Sequence, residues 1–270
     1  MNLKFWKMNG TGNDFIVADN RDGIVADGRH SDFAASLCPR RTAVGADGVL
    51  LVEPPPGEDF DFRMRYLNAD GSEAEMCGNG ARCIASFAHA IGAAGPEMRF
   101  MTGAGPVGAT ITGEGAIIDM PEPTQPEEKS IAVGGRKLNL WFLSTGVPHA
   151  VVPVRNLDTA EVLSQGRAIR YHEAFLPAGA NANFMARRGK GIAIRTYERG
   201  VEDETLACGT GASAAALAAA SAWGLKSPVG VVVLGGMLRI HFEESGEGYS
   251  KVRLEGPAEV VFRGELDWPA

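Results

Sequence analysis

The run Gly211-Ala-Ser-Ala-Ala-Ala-Leu-Ala-Ala-Ala-Ser-Ala-Trp223 has helical character and carries no charged residue on any face. A helix that is small or apolar all round is buried on every side. A second segment, Gly80–Ile91, has the same character and is interrupted only by Arg82 and His89. Each therefore reads as a central helix that a sheet must curl around, and the small alanines let the surrounding strands approach closely.

Short strand-like runs supply that sheet. Leu3–Met8, Asp14–Ala18, Gly48–Val52, Asp61–Leu67, Glu97–Met101 and Ala116–Met120 fill the first half. Leu138–Ser144, Ala150–Val154, Asn183–Arg187, Ile192–Tyr197, Val229–Leu234, Met237–Phe242, Lys251–Glu255 and Ala258–Phe262 fill the second. Several alternate with period two, as in Asp61-Phe-Arg-Met-Arg-Tyr66. Turn-rich stretches such as Pro54-Pro-Pro-Gly57 and Gly103-Ala-Gly-Pro106 separate them. His30–Leu37 and Asp158–Gly166 are the other predicted helices. Pro121–Glu128 reads as a linker.

The two halves repeat each other. Cys77-Gly-Asn-Gly-Ala-Arg82 aligns with Cys208-Gly-Thr-Gly-Ala-Ser213, and in that register Tyr66 meets Tyr197, Asn68 meets Arg199 and Glu73 meets Glu204. With a three-residue shift, Thr11-Gly12 aligns with Thr145-Gly146. The expected fold is α/β: two pseudo-symmetric domains, each a curled mixed sheet around a central helix. Residues 1–120 form the first domain and 121–263 the second. The last strand, Val260–Glu265, and the tail 264–270 are expected to return to the first domain. A duplicated Cys motif is expected to present one thiol to each side of a cleft between the domains.

Composition excludes several roles. The chain of 270 residues has 26 basic and 33 acidic side chains, a net charge of −7, against the basic footprint of a nucleic-acid binder or a partner of anionic membranes. No apolar stretch is long enough to span a bilayer. Met1–Asp19 lacks the apolar core of a secretory signal. A cytoplasmic protein with reduced thiols at Cys38, Cys77, Cys83 and Cys208 is expected. Cys77 and Cys83 are spaced unlike a zinc knuckle, and neither Gly motif has the Lys-Ser/Thr ending of a phosphate loop. No metal site and no cofactor are expected.

A thiol in a Gly-rich turn opening a helix sits at the positive end of the helix dipole, which favours thiolate. The N–H groups of the first turn bind anions. Duplicated, such a motif gives a carbon acid two sets of carboxylate-binding donors and two thiols. One thiolate removes the α-proton while the opposite thiol protonates the other face. Cys77 and Cys208 are thus the predicted acid/base pair. Cys38 and Cys83 read as buried small hydrophobes. Asn13, Asn68, Asn181, Glu198 and Arg199 lie at strand ends leading towards the Cys motifs. Singly each suits a turn or the surface; together they suit a binding site.

The chain resembles the diaminopimelate epimerase family. The resemblance rests on Lys7-Met-Asn-Gly-Thr-Gly-Asn-Asp-Phe15, Gly45-Ala-Asp-Gly48, Asn68-Ala-Asp-Gly-Ser72, Met76-Cys-Gly-Asn-Gly-Ala-Arg-Cys83, Asn181 with Phe184, Tyr197-Glu-Arg-Gly200 and Ala207-Cys-Gly-Thr-Gly-Ala212, which run over nearly the whole sequence. Proline racemase-like relatives usually carry His where this chain has Asn79. The resemblance implies interconversion of LL- and meso-diaminopimelate without pyridoxal phosphate, in lysine and cell-wall precursor synthesis, by a homodimer. It implies that Cys77 and Cys208 are the catalytic pair, with His149 and Glu198 in support. It implies carboxylate-binding turns at Gly78-Asn79 and Gly209-Thr210, and substrate contacts at Asn13, Asn68, Asn181, Glu198 and Arg199. Arg199 suits the distal carboxylate and Glu198 an ammonium. One departure is Val147: many members read Gly-Asn-Pro-His where this chain has Gly146-Val-Pro-His149, so a side-chain contact is missing or replaced. A racemase for another amino acid is the same-class alternative. A non-catalytic thiol-redox or ligand-binding protein is the different-class one.

Overall fold

A computed structural model describes residues 2–268. In chain order the elements are β1 (Asn2–Gly10), β2 (Asn13–Asp19), α1 (His30–Leu37), β3 (Gly48–Glu53), β4 (Phe62–Asn68), β5 (Glu73–Ala74), α2 (Gly78–Ala90), β6 (Glu97–Thr102), β7 (Gly105–Ile111), β8 (Gly115–Asp119) and β9 (Glu127–Val133). Then come β10 (Arg136–Ser144), β11 (Pro148–Pro153), α3 (Val162–Arg170), β12 (Asn181–Arg188), β13 (Gly191–Glu198) and β14 (Asp203–Thr205). The chain closes with α4 (Gly209–Trp223), β15 (Val229–Val233), β16 (Gly236–Ser245), β17 (Gly248–Pro257) and β18 (Glu259–Asp267). The described residues divide into two compact units, one of residues 2–118 with 256–268, the other of residues 119–255; the last two residues of the expected tail 264–270 lie outside the described residues.

In the first unit, β1 pairs antiparallel with both β18 and β2, β2 runs parallel to β3, and β3 is antiparallel to β4. β4 takes β5 antiparallel and β6 parallel, and β6, β7 and β8 follow as a meander. The second unit repeats this plan. β10 pairs antiparallel with β9 and β11, β11 runs parallel to β12, and β12 is antiparallel to β13. β13 takes β14 antiparallel and β15 parallel, with β16 and β17 following. The strand beside β10 precedes it in the chain, whereas the strand beside β1 is the last of all. The return to the first unit thus begins at Gly256, earlier than the expected residue 264.

Each sheet is curled and has two apolar faces, because side chains alternate along a strand. One face wraps the central helix: α2 packs on β1, β2, β3, β4 and β7, and α4 on β10 to β13, β15 and β16. The other face packs under α1 or α3. Leu3, Ile16, Val49, Leu51 and Phe33 form that outer core in the first unit, and Leu140, Val152, Phe184, Ile169 and Phe175 in the second. β3 is buried along its whole length, as a strand covered on both faces must be. In α4, residues 211–220 are all buried, and Gly224 closes the helix at φ +67°.

Three local expectations change. The helix expected at Asp158–Gly166 starts later, at Val162. Asn156 Oδ1 accepts from the Asp158 N–H at 3.0 Å and Leu157 O from the Ala160 N–H at 3.1 Å, so this stretch is a turn. The linker Pro121–Glu128 gives way to strand at Glu127, and its Thr124 is tied to Ser144 through both backbone and hydroxyl. Gly105 and Pro106, expected in a turn, begin β7.

Candidate active-site residues at two helix starts

Both central helices begin two residues earlier than their periodicity suggests, at Gly78 and Gly209. That makes the cysteines the N-caps. Cys77 is extended, with φ −139° and ψ 124°, and Cys208 with φ −123° and ψ 112°. Their carbonyls accept the first helical bonds, from Ala81 N–H at 2.7 Å and Ala212 N–H at 2.8 Å. Neither side chain caps its own helix. The three N–H groups that follow each cysteine lie before the first helical donor and suit an anion.

In the first unit, the tight turn between β1 and β2 brings Asn13 to α2. Asn79 Nδ2 donates to Asn13 Oδ1 at 2.6 Å, and Asn13 Nδ2 donates to Asp47 Oδ2 at 3.1 Å. Asp47 shares Arg40 with Asp14, and Asp14 pairs with the buried Lys7 at 2.7 Å. Arg40 and Lys7 hold the Asp14 carboxyl at about 2 against the opposing effect of burial. The Lys7 ammonium also donates to Gly45 O. Gly78 and Asn79 open α2 beside this network. Asn68 stands apart from it and is bonded within its own turn, to Ser72 Oγ at 3.0 Å.

The second unit gathers its residues more tightly. His149 and Asn181 are partners across β11 and β12. Asn181 Nδ2 donates to Pro148 O at 3.1 Å, and its Oδ1 accepts from the Arg199 N–H at 2.8 Å. The His149 Nδ1 meets Asn183 Nδ2 at 3.1 Å, and Thr196 Oγ1 donates to Asn183 Oδ1 at 2.9 Å. Burial, with some help from the Arg199 charge, pushes the His149 imidazole down to about 3, so it is neutral. Its Nε2 is buried without a partner. Glu198 accepts from Thr205 Oγ1 at 2.8 Å and from the Cys208 thiol, and burial raises its carboxyl above the ordinary range. Cys208 Sγ also lies 3.4 Å from Thr210 Oγ1, within the turn Gly209-Thr210. The Arg199 guanidinium donates to Ala178 O at 3.1 Å, and the residue is half-buried. Val147 contributes its carbonyl, which accepts from the Thr145 N–H at 3.2 Å.

Sequence reasoning passed over Arg82, Thr196 and Thr11, and placed Asn183 beside Asn181 at a strand start without assigning it to the site. Asn183 follows Asn181 by two in a strand, so both face one side, a signal present in the sequence. Thr11 is the counterpart of Thr145 in the repeat. Its hydroxyl accepts from Arg82 at 2.8 Å, whereas Thr145 Oγ1 donates to Thr210 O at 2.9 Å. Arg82 interrupts an otherwise apolar helix in the sequence, and the structure buries it completely.

The family model for diaminopimelate epimerase matches residues 5–125 and 141–261. A diaminopimelate epimerase of Aquifex aeolicus is 43% identical, covering 98% of this chain and 98% of its own. One of Chlorobaculum tepidum is 42% identical over 96% and 99%. Among solved structures, a PhzF-family phenazine biosynthesis protein of Bacillus anthracis superposes with a TM-score of 0.76 at 17% identity, covering 99% of this chain and all of the other. A hydroxyproline epimerase of Agrobacterium vitis, solved with trans-4-hydroxy-L-proline, gives 0.65 at 17% identity over 98% and 92%. At that identity these two show a shared fold.

Proposed function

The chain belongs to the diaminopimelate epimerase family, and from that premise we propose that it interconverts LL- and meso-diaminopimelate with Cys77 and Cys208 as a two-base pair. The observation that carries this reading is that each cysteine is the N-cap of a buried, charge-poor helix in a duplicated unit. One cysteine thiolate takes the α-proton and becomes a thiol. The other, a thiol, gives its proton to the opposite face and becomes a thiolate. The carbon is inverted, and the two sulfurs exchange protonation states. The N–H groups at Gly78-Asn79 and Gly209-Thr210 stabilise the charge that builds on the α-carboxylate. Asn13, Asn68 and Asn181 orient the substrate, and Arg199 grips its distal carboxylate. Glu198 binds the ammonium side and, with neutral His149, supports Cys208. This chemistry calls for no cofactor and no metal.

The same reading assigns the protein to lysine and peptidoglycan precursor synthesis in the cytoplasm. Among the described residues no helix is long and apolar enough to cross a membrane. A homodimer is part of the reading, supported by the row Val260, Val261 and Phe262 on β18, which is 42%, 59% and 46% exposed. Light scattering on the eluting protein should give twice the chain mass. Chiral chromatography with LL-diaminopimelate, proline, hydroxyproline and glutamate tests the activity. Turnover of diaminopimelate alone is expected, and a reduced enzyme inert towards it but active on another of the four would overturn the substrate assignment.

A further inference from the structure

Arg82 is wholly buried, yet among the described residues it forms no ion pair. Its guanidinium lies beneath the first turn of α2. It donates to Thr11 Oγ1 at 2.8 Å, Asn79 Oδ1 at 3.0 Å, Gly78 O at 3.3 Å and Pro257 O at 3.3 Å. Four neutral oxygens engage four of its five N–H groups and leave its charge uncompensated. A buried cation is costly unless an anion is near. The groups that act on it electrostatically are two thiols, Cys83 and Cys77. Cys83 is fully buried, and burial pushes its thiol up to about 12, so it stays protonated. Lys7 and Asp14, on strands packed against α2, form their own pair. Glu53 and Arg65, on β3 and β4, do likewise. Glu259, on β18, acts on Cys83 but not on Arg82, so Cys77, at the end of the helix dipole favourable to an anion, is the remaining candidate.

The second unit is built the other way. Ser213 occupies the position of Arg82, and its hydroxyl turns back to Gly209 O at 3.0 Å. Glu198, a carboxylate, accepts from the Cys208 thiol. His149 is neutral, and Arg195 on β13 is engaged bidentately by Glu204.

We infer that Arg82 is the resident counter-charge of Cys77, and that at rest Cys77 is the thiolate while Cys208, held by Glu198, is the thiol. The inference deepens the two-cysteine reading and rests on it. Arg82 is a positioning residue that acts through Cys77. The resting enzyme is then ready to abstract a proton in one direction only. The reverse direction starts from the form in which the proton has moved from Cys208 to Cys77.

The test is the pH dependence of alkylation at each cysteine, read by peptide mass mapping with iodoacetamide on the full chain. Each thiol is normalised to its own maximum, which removes differences in access. Cys77 should reach half-reactivity at least about one pH unit below Cys208, a tenfold difference in thiolate fraction at neutral pH. Arg82→Met should raise the Cys77 midpoint and leave that of Cys208 in place, while Arg82→Lys should restore most of the shift. Glu198→Gln should lower the Cys208 midpoint. If Arg82→Met does not fold, the order of midpoints in the unaltered chain and the Arg82→Lys profile still decide. A Cys208 midpoint below that of Cys77, or a Cys77 profile unmoved in folded Arg82→Met, overturns the inference and leaves the epimerase reading standing. Absence of turnover with the predicted midpoints intact would instead overturn the reading beneath it.

Discussion

The two helix starts share a backbone and differ in what lies under it. Beneath α2 the neighbours of Gly80 are Phe15 and Leu50, and the polar element is Arg82 reaching back to the first turn. Beneath α4 the neighbour of Gly211 is Asn183, bonded to His149 and Thr196, and the helix itself is uncharged. One unit thus places a cation inside the helix and an apolar floor under it. The other places a neutral polar floor under an apolar helix and a carboxylate beside its cysteine. The two units repeat one scaffold, and the side chains packed around their cysteines differ in charge, Arg82 in one and Glu198 in the other. Two identical half-sites could share one proton through charge repulsion but would prefer neither sulfur, so on the inference above the asymmetry selects which cysteine rests as the thiolate.

Six substitutions probe the comparison. Cys77→Ser and Cys208→Ser each remove one base and should each cut turnover by at least about 10²-fold. A steady-state assay in which either variant keeps wild-type rate would break the pairing. Next in size is an effect of pH on the second unit. His149 titrates near 3 when folded and near 6.5 when unfolded. Its neutral form is therefore the stable one, with full stability above 6.5 and progressive loss as pH falls towards 3. The slope approaches about 1.4 kcal/mol per pH unit. His149→Gln should flatten that part of the melting profile. His30, also held down by burial, acts in the same direction in the first unit and should be unaffected by this change.

Gly211→Ala and Gly80→Ala give the sharpest structural contrast. A methyl at 211 overlaps Asn183 Oδ1 and crowds Cys208 Sγ at 3.3 Å, so a loss of about 1–3 kcal/mol is expected. At 80 the nearest atoms are Leu50 methyls at 3.3 and 3.5 Å, which can shift. Gained helix propensity should keep the change below about 1 kcal/mol. Equal denaturant midpoints for the two would contradict the account of the two floors. Smallest of all, Ser213→Ala removes a hydroxyl bonded only to its own helix and should change stability by less than about 1 kcal/mol and turnover hardly at all.

Much of this architecture was legible in the sequence, for physical reasons. A charge-free helix has to be wrapped, which fixed α4 and the curled sheet. The Cys-Gly-x-Gly repeat gave the two-unit plan, and period-two alternation located β4. What escaped was set by tertiary pairing. β9 reads Glu-Glu-Lys-Ser and forms a strand because β10 offers it an edge. β7 starts at a Gly-Pro pair that signals a turn, yet β6 holds it in register. At the site, the cysteines stood out through their repetition. Arg82 did not, because nothing local distinguishes a buried guanidinium from a surface one. Its burial and four oxygen partners emerge only when Thr11 and Pro257, distant in sequence, close around it.

The central claim is that two monoprotic thiols act on opposite faces of one carbon, and early-time isotope wash-in measures it most directly. LL-diaminopimelate is incubated in heavy water with the reduced protein, and substrate and product are recovered after a few per cent conversion. The account predicts deuterium at the inverted centre of the meso product and almost none in the recovered LL isomer, because the abstracting thiol returns only the proton it took. Deuterium entering the recovered LL isomer as fast as the product would mean a single, solvent-exchanging base and would contradict the account.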